Sequence, residues 1–302
     1  MSIVVNAEVV VASENVLGES VFWSVPMQKV HWVDGSASVI HRWDPRSSTH
    51  DYVELAPRNS LGMIAETTDP QSIAIADPNG ISLVNLETRD GSSVAHPEQG
   101  RHGVGYNDAK VDPAGRLWVG TFDLQESEPR GCLWLLENGR PPHLAETGMA
   151  VVNGPAFSPD GGVLYVSDSM GKRILAFDLD GRELRQRRVL AYFGPEEGLP
   201  DGLTVDAEGC VWCAHWDGAR VTRFSPRGER LAVVHAPVPR VTSVAFGGCD
   251  LKTLFFTSAR YGLTQHQLEL APKSGALFSA SPGVQGIAAT RLPLPFVCRE
   301  MA

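Results

Sequence analysis

Short apolar runs rich in Val, Ile, Leu and aromatic residues alternate with Gly, Pro, Asp and Asn along the whole chain. That texture predicts short strands joined by tight turns. One pattern, a turn followed by an aliphatic-aromatic strand, returns six times. Its copies are Lys29-Val30-His31-Trp32-Val33-Asp34, the weaker Ser72-Ile73-Ala74-Ile75-Ala76-Asp77, Asp112 to Gly120, Ser158 to Asp168, Asp206 to Cys213 and Asp250 to Thr257. The central residues Trp32, Ile75, Trp118, Tyr165, Trp212 and Phe255 follow one another at intervals of 43 or 47 residues. An interval that holds four short strands, repeated six times, predicts an all-β, six-bladed β-propeller.

Further strands fall where such a blade needs them. Arg173 to Asp178 and Arg220 to Phe224 read as third strands, and Arg188 to Ala191 and Leu231 to Val234 as fourth strands. Asp180-Gly181 and Arg227-Gly228 supply the turns between them. Residues 1–302 are expected to form a single propeller domain. An N-terminal strand, Ser2 to Val5 or Val9 to Val11, is expected to complete the last blade against the C-terminal strands. A two-sheet sandwich would not require six repeats in phase.

Composition refines the picture modestly. An apolar content of 43% with 20% charged residues is that of a globular chain, and 30 Gly with 21 Pro favour turns over long helices. A formal net charge of −9 disfavours nucleic acid as a partner. Met1 to Glu14 has no basic start and is interrupted by Asn6, Glu8 and Glu14, so no signal peptide is expected. No apolar run is long enough for a membrane helix. The five cysteines show no framework, which suits reduced thiols and a cytoplasmic location. Cys210 and Cys213 form a C-x-x-C around Trp212, and buried strand cysteines are the favoured reading there.

The candidate chemistry sits at the start of each innermost strand, where equivalent positions converge on the propeller axis. Those positions hold Glu19, Asn107, Asn153, Asp201 and Ser243, and the second unit offers no ligand type around Ser60 to Met63. Asn153-Gly154 and Asp201-Gly202 taken singly are ordinary turn formers. Taken in phase, these oxygen-bearing side chains aim at one spot. Buried carboxylates without partners are costly, and a divalent cation at the channel mouth removes that cost. Oxygen donors without Cys or His suit Ca²⁺, Mg²⁺ or Mn²⁺.

These residues resemble the gluconolactonase/regucalcin (senescence marker protein) family. The resemblance is carried by Leu17-Gly18-Glu19, by Asn107-Asp108-x-Lys110-Val111-Asp112-Pro113-x-Gly115-Arg116, by Asn153-Gly154 with Ser158-Pro159-Asp160, by Pro200-Asp201-Gly202, and by Phe246-Gly247-Gly248 with Asp250-Leu251. It spans nearly the whole chain. It implies one divalent cation (Ca, Mn, Mg or Zn) held by Glu19, Asn153 and Asp201, with Asn107 touching substrate and metal-bound water. It also implies hydrolysis of a sugar lactone to the hydroxy acid, with Asp201 able to take a proton from the attacking water. The partner expected is therefore a small-molecule lactone, with no membrane involved.

The sequence departs from the family pattern at several places. Gly105 stands where many members carry a hydroxyl-binding Arg. Arg101 and His102, in the loop before it, are candidates to reach the substrate instead. Ser20-Val21 replaces Gly-Pro, Val241 replaces Pro, and Ala109 replaces Gly. These changes point to a different sugar lactone or one with fewer hydroxyls. Phe122 and Asp123 are candidate pocket walls. His215 is a candidate auxiliary base or pocket residue, although a histidine packed within its blade is the favoured reading. Two other functions fit the same site: a calcium-binding regulator without turnover, and a phosphotriesterase or arylesterase.

Overall fold

The computed structural model describes residues 3–55 and 60–299. Ser2, part of the expected closing run, lies outside them. Two short strands come first, β1 (Ile3–Asn6) and β2 (Glu8–Val11). Blade I is β3 (Gly18–Ser24), β4 (Lys29–Asp34), β5 (Val39–Asp44) and β6 (Thr49–Glu54). Blade II is β7 (Met63–Glu66), β8 (Ser72–Asp77), β9 (Gly80–Asn85) and β10 (Gly91–Ala95). Blade III is β11 (Val104–Val111), β12 (Leu117–Asp123), β13 (Gly131–Leu136) and β14 (His143–Met149). Blade IV is β15 (Val152–Phe157), β16 (Val163–Asp168), β17 (Arg173–Asp180) and β18 (Glu183–Tyr192). Blade V is β19 (Leu199–Val205), β20 (Val211–Trp216), β21 (Arg220–Phe224) and β22 (Arg230–His235). Blade VI is β23 (Val241–Gly247), β24 (Thr253–Ser258) and β25 (Leu277–Ala280), with a short helix, α1 (Gln265–Leu270), before its last strand.

The innermost strands β3, β7, β11, β15, β19 and β23 each contact the next, and β23 returns to β3. The six sheets therefore close into a ring around a central channel. The outer position of blade VI is filled by β2, antiparallel to β25. The preceding strand takes a different place: β1 runs parallel to β22 as a fifth strand on blade V.

Each gap between neighbouring blades holds its own apolar cluster, which explains the continuous apolar runs in the sequence. Along β4, Val30 and Trp32 face blade VI, and Val33 faces blade II. The twofold alternation of a strand thus buries both faces of the same sheet. The six repeat residues named above all lie on the second strand of their blades and are buried. Full burial of a side chain of that size stabilises by roughly 1.5–3 kcal/mol.

The turn residues of the repeat have an equally direct cause. Asp112 Oδ1 accepts hydrogen bonds from Ala114 N and Arg116 N, while its Oδ2 accepts from Trp118 Nε1 at 2.9 Å and Arg116 Nε at 2.6 Å. Asp206 does the same in blade V, with Glu208 N and Cys210 N on one oxygen, and Trp212 Nε1 and Arg223 Nε on the other. One buried carboxylate thus shapes the turn and fixes the indole of the next strand. Cys210 and Cys213 are both buried free thiols.

After β25 the chain crosses the end of the channel where these turns lie. Gly286 bridges to Asp206, and its N–H bonds Leu251 O. Ile287, Ala288, Ala289 and Thr290 then pass under the channel. Leu292 pairs in parallel with Thr67, and Val297 N bonds Asn138 Oδ1. Leu292 and Phe296 are buried in the cluster between blades II and III.

Candidate active site

The opposite mouth of the channel carries the expected residues, and one backbone device puts them there. Five of the six innermost strands shift register against their neighbour near the start of the strand: between Glu19 and Phe22, Tyr106 and Ala109, Asn153 and Ala156, Pro200 and Leu203, and Val241 and Val244. Each shift places two residues opposite one, which is a β-bulge. The bulge re-aims side chains that a regular pleat would direct into the gaps between blades. Short β7 shows no such shift against β8, in keeping with the lack of a ligand type in blade II.

The register also shows a one-residue offset. Glu19 and Asn153 are the last paired residues before their bulges, in blades three apart around the ring. Asn107 and Asp201 are the first residues inside theirs. The residues after Glu19 and Asn153, Ser20 and Gly154, both adopt left-handed backbone, with φ of 51° and 56°. A Cβ on Gly154 would lie 2.6 Å from Leu203 N, so only glycine fits there.

A hydrogen-bond chain crosses three blades beneath the site. Asn107 Nδ2 donates to Val152 O at 3.0 Å and to Asn153 Oδ1 at 2.8 Å. Asn153 Nδ2 donates to Ser169 Oγ at 3.2 Å, and Ser169 Oγ donates to Pro200 O at 2.7 Å. Ser167 Oγ holds Asp201 O at 2.7 Å. Across the sixth gap, Val21 N donates to Ser243 Oγ at 3.2 Å, tying blade VI to the Glu19 bulge. Ser243 thus serves the backbone of the site.

The electrostatics are those of crowded acids. Glu19 is held well above the usual carboxylate range, first by burial and then by the charges of Asp201 and Asp108. Asp201 is also held well above it, by burial and then by Asp108. Asp108, which the sequence did not single out as a site residue, is raised by burial. Lys110, the N–H groups of Ala109 and Gly154, and Ser20 Oγ oppose that rise. Asp201 is 4% exposed, and its Oδ1 is buried without a hydrogen-bond partner. That atom is where a cation fits: a hard divalent ion is the natural partner of an orphaned, buried carboxylate oxygen beside a second carboxylate and an amide oxygen. Among the described residues no three His, Cys, Asp or Glu side chains gather around one point, so the fit belongs to a mixed carboxylate and amide set.

The other expected pocket residues have varied placements. Phe122 lies opposite Gly105 on the neighbouring strand, and a Cβ on Gly105 would meet its ring at 2.6 Å. An aromatic wall therefore fills the space beside Gly105. Asp123 takes the N–H groups of Ser127 and Glu128 and so shapes its loop. The Arg101 guanidinium is engaged by Glu98, Cys132 Sγ and Arg130 O, away from the acids of the mouth. Glu98 itself is buried, and its Oε1 accepts from Trp134 Nε1 at 2.7 Å and Thr121 Oγ1 at 3.0 Å. His102 is exposed, and its carbonyl accepts from Arg130. His215 is 1% exposed and lies opposite Pro200, with Nδ1 2.7 Å from Glu197 O and its ring against Phe193. Burial lowers its pKa to about 4.

A family profile described as SMP-30/Gluconolactonase/LRE-like region matches residues 17–260, and the chain belongs to that family. It is 34% identical over 281 residues to a protein named 6-deoxy-6-sulfogluconolactonase from Pseudomonas putida, covering 92% of this chain and 96% of the relative. It is 32% identical over 290 residues to regucalcin of Danio rerio, covering 94% and 97%. Among solved structures, a calcium-binding protein, regucalcin, from Agrobacterium tumefaciens superposes with a TM-score of 0.90 at 25% identity, over 97% of this chain and 100% of that one. The described residues contain no helix long and apolar enough to cross a membrane.

Proposed function

We propose that this protein is a metal-dependent hydrolase that opens a sugar lactone, or a related lactone, to its hydroxy acid. The observation that carries the reading is the orphaned Oδ1 of buried Asp201 beside Glu19 and Asn153 at the channel mouth. The family and the lactonase among the relatives support the reaction class. Glu19, Asn153 and Asp201 are the residues that would hold the cation. When bound, it would polarise the lactone carbonyl and make a water more acidic. Three protein donors leave positions open for substrate, whereas a storage site for Ca²⁺ surrounds the ion with six to eight oxygens.

The chain's own groups do the rest. Asn107 spends its two amide N–H groups on Val152 O and Asn153 Oδ1, which fixes its amide at the half-exposed edge of the site and leaves its Oδ1 to accept from a substrate hydroxyl or a water. Asp201 is the proton acceptor: its carboxylate lies at the centre of the site, and burial and Asp108 raise its basicity. The water oxygen bonds to the carbonyl carbon, the ring C–O bond breaks, and the proton passes to the leaving oxygen. Phe122 closes the side of the site beside Gly105, which favours a ring with a less polar face there.

The test is proton release from a panel of γ- and δ-lactones by chelator-treated protein, with Ca²⁺, Mn²⁺, Mg²⁺ or Zn²⁺ restored, and with Asp201→Ala as control. Turnover restored by a cation and absent in the variant is expected. Cation binding through Asp201 without lactone turnover would instead support the regulator, and turnover of an organophosphate or aryl ester alone would support the esterase.

A further inference from the structure

The corner of the mouth between blades III and IV is lined by carbon. A Cβ on Gly105 would meet Phe122 Cε1 at 2.6 Å, Phe122 Cζ at 3.0 Å and Leu124 Cδ2 at 3.1 Å, so both side chains lie over Gly105. Strand alternation sets their direction. Along β12, Leu117 and Val119 face blade II, and Trp118 faces blade IV. Gly120 and Phe122 continue the Trp118 face, and Leu124 follows them over Gly105. Gly120 abuts blade IV, where a Cβ would come within 2.7 Å of Val152 O, and Phe122 bridges Val151. Val152 O is the carbonyl that holds Asn107 Nδ2 at 3.0 Å. The apolar pair therefore begins beside the anchor of Asn107 and runs outward from it. Leu124 N bonds Gly103 O at 2.9 Å, which keeps the leucine above the start of β11. Its side chain is nonetheless left open to solvent, with the residue 54% exposed.

The charged groups around this corner are already committed. Arg101 is engaged by Glu98, Cys132 Sγ and Arg130 O. Arg130 donates to Asp123 Oδ1 at 3.3 Å and to His102 O. Asp123 Oδ2 accepts from Ser127 N and Glu128 N. A substrate hydroxyl laid against Phe122 and Leu124 gives up its water and meets only carbon, whereas a methylene there leaves water for an apolar surface. We propose that Phe122 and Leu124 form an apolar shelf that receives the substituent of the lactone ring. The substrate class is then a lactone with a neutral alkyl or deoxy side chain, rather than a polyhydroxylated or anionic one. This rests on the lactonase reading above and names the substrate for it. The reacting end lies over the acids and Asn107, and the side chain runs out across Gly105. Phe122, nearer the Asn107 anchor, meets its first carbons, and Leu124 meets those farther out.

The test measures kcat/KM of the full chain, with the cation that supports turnover, on γ-valerolactone, γ-octalactone and galactono-γ-lactone. These share a five-membered ring and differ in what it carries: a methyl group, a butyl chain or hydroxyl groups. γ-Octalactone is expected to exceed galactono-γ-lactone by about tenfold or more. Leu124→Ser is expected to cut the ratio of γ-octalactone to γ-valerolactone by about fivefold, through KM rather than kcat, and Leu124→Met to hold that ratio within about twofold. Phe122→Gln is expected to cut the preference for γ-octalactone over galactono-γ-lactone by about tenfold. The exposed Leu124 keeps the test available should Phe122→Gln fail to fold. A loss of folding would lower turnover of all three lactones alike and leave the ratios in place. Preference for galactono-γ-lactone, or ratios unmoved by Leu124→Ser, would overturn the shelf while leaving the lactonase reading intact. If no γ- or δ-lactone is opened with any cation, the lactonase reading fails and the shelf fails with it.

Discussion

The amide of Asn153 is oriented by Ser169. Ser169 Oγ gives its proton to Pro200 O, so it can only accept from Asn153 Nδ2, and this turns Asn153 Oδ1 toward Asn107 and the mouth. The Asn153 oxygen that the proposed cation would use is thus selected by a buried serine that is not itself one of the proposed ligands.

Ser169→Ala is therefore expected to weaken cation affinity by about 10–100-fold, the usual cost of losing a supporting partner behind a ligand. The fold should be retained at a cost of about 1–3 kcal/mol, since Asn153 Nδ2 and Pro200 O lose a buried partner. Calorimetric titration together with a thermal melt in chelator separates the two effects.

Glu19 and Asp201 make the metal-free protein less stable than it needs to be. Their carboxyl groups are raised in the folded state, so folding binds protons. The sign follows: the contribution of these two groups to the stability of the metal-free protein is full below the usual carboxylate pKa and is lost as pH rises toward the raised values. Glu19→Gln removes that loss. In chelator at pH 8 it is expected to be more stable than the unaltered protein by ~1–3 kcal/mol. With Ca²⁺ added the order should reverse, because only the unaltered site gains from the ion. Melts at pH 5 and pH 8, with and without Ca²⁺, test both halves.

Three buried histidines set the acid limit. Burial lowers the pKa of His31, His41 and His215 to about 4. A lowered histidine contributes stability that is complete above its unfolded pKa of about 6.5 and is lost as pH falls toward its folded value. Each contributes at most about 3 kcal/mol over that window. His215→Asn keeps a donor for Glu197 O and should shrink the fall in Tm between pH 7 and pH 5. An unchanged fall would assign the acid sensitivity elsewhere.

Ser20 and Gly154 occupy equivalent bulge positions and should respond oppositely. Ser20 already bears a Cβ in left-handed backbone, so Ser20→Gly removes strain and loses only a 3.4 Å contact to Asp108 Oδ1. It is expected to change stability by less than ~1 kcal/mol. Gly154→Ala drives a methyl into Leu203 N and Cγ and should cost at least ~2 kcal/mol and displace Asn153. Denaturant midpoints of the two variants give the comparison.

Much of this was readable from the chain because its causes are local and repeated. The Asp-to-indole turn bond recurs two blades apart, so Trp118 and Trp212 announce the repeat. The polar residues at the strand mouths interrupt otherwise apolar runs, which made Glu19, Asn107, Asn153 and Asp201 visible. The one-residue offset among them was not visible, because a bulge is a property of pairing between two strands. Ser169 looked like an ordinary turn residue, and its importance comes from Pro200 O on the neighbouring blade. Arg101 drew notice as a loop cation near Gly105, yet Glu98 nearby and Arg130 O and Cys132 Sγ, about thirty residues on, engage its guanidinium. Residues 285–299 carry no strand periodicity, since they attach through single backbone bonds to successive blades.

Those last residues give the ring a second kind of closure. β2 completes blade VI, β1 laces the outside of blade V, and the tail passes beneath the channel from blades V and VI to blades II and III. Loss of residues 3–6 would bare only one sheet edge, whereas loss of residues 8–11 would strip blade VI of its outer strand. Loss of residues 285–299 would leave every blade its strands but open the gap between blades II and III that Leu292 and Phe296 fill. The tail therefore acts on a seam rather than on a sheet: without it each blade stays whole while one pair of neighbours loses part of its packing.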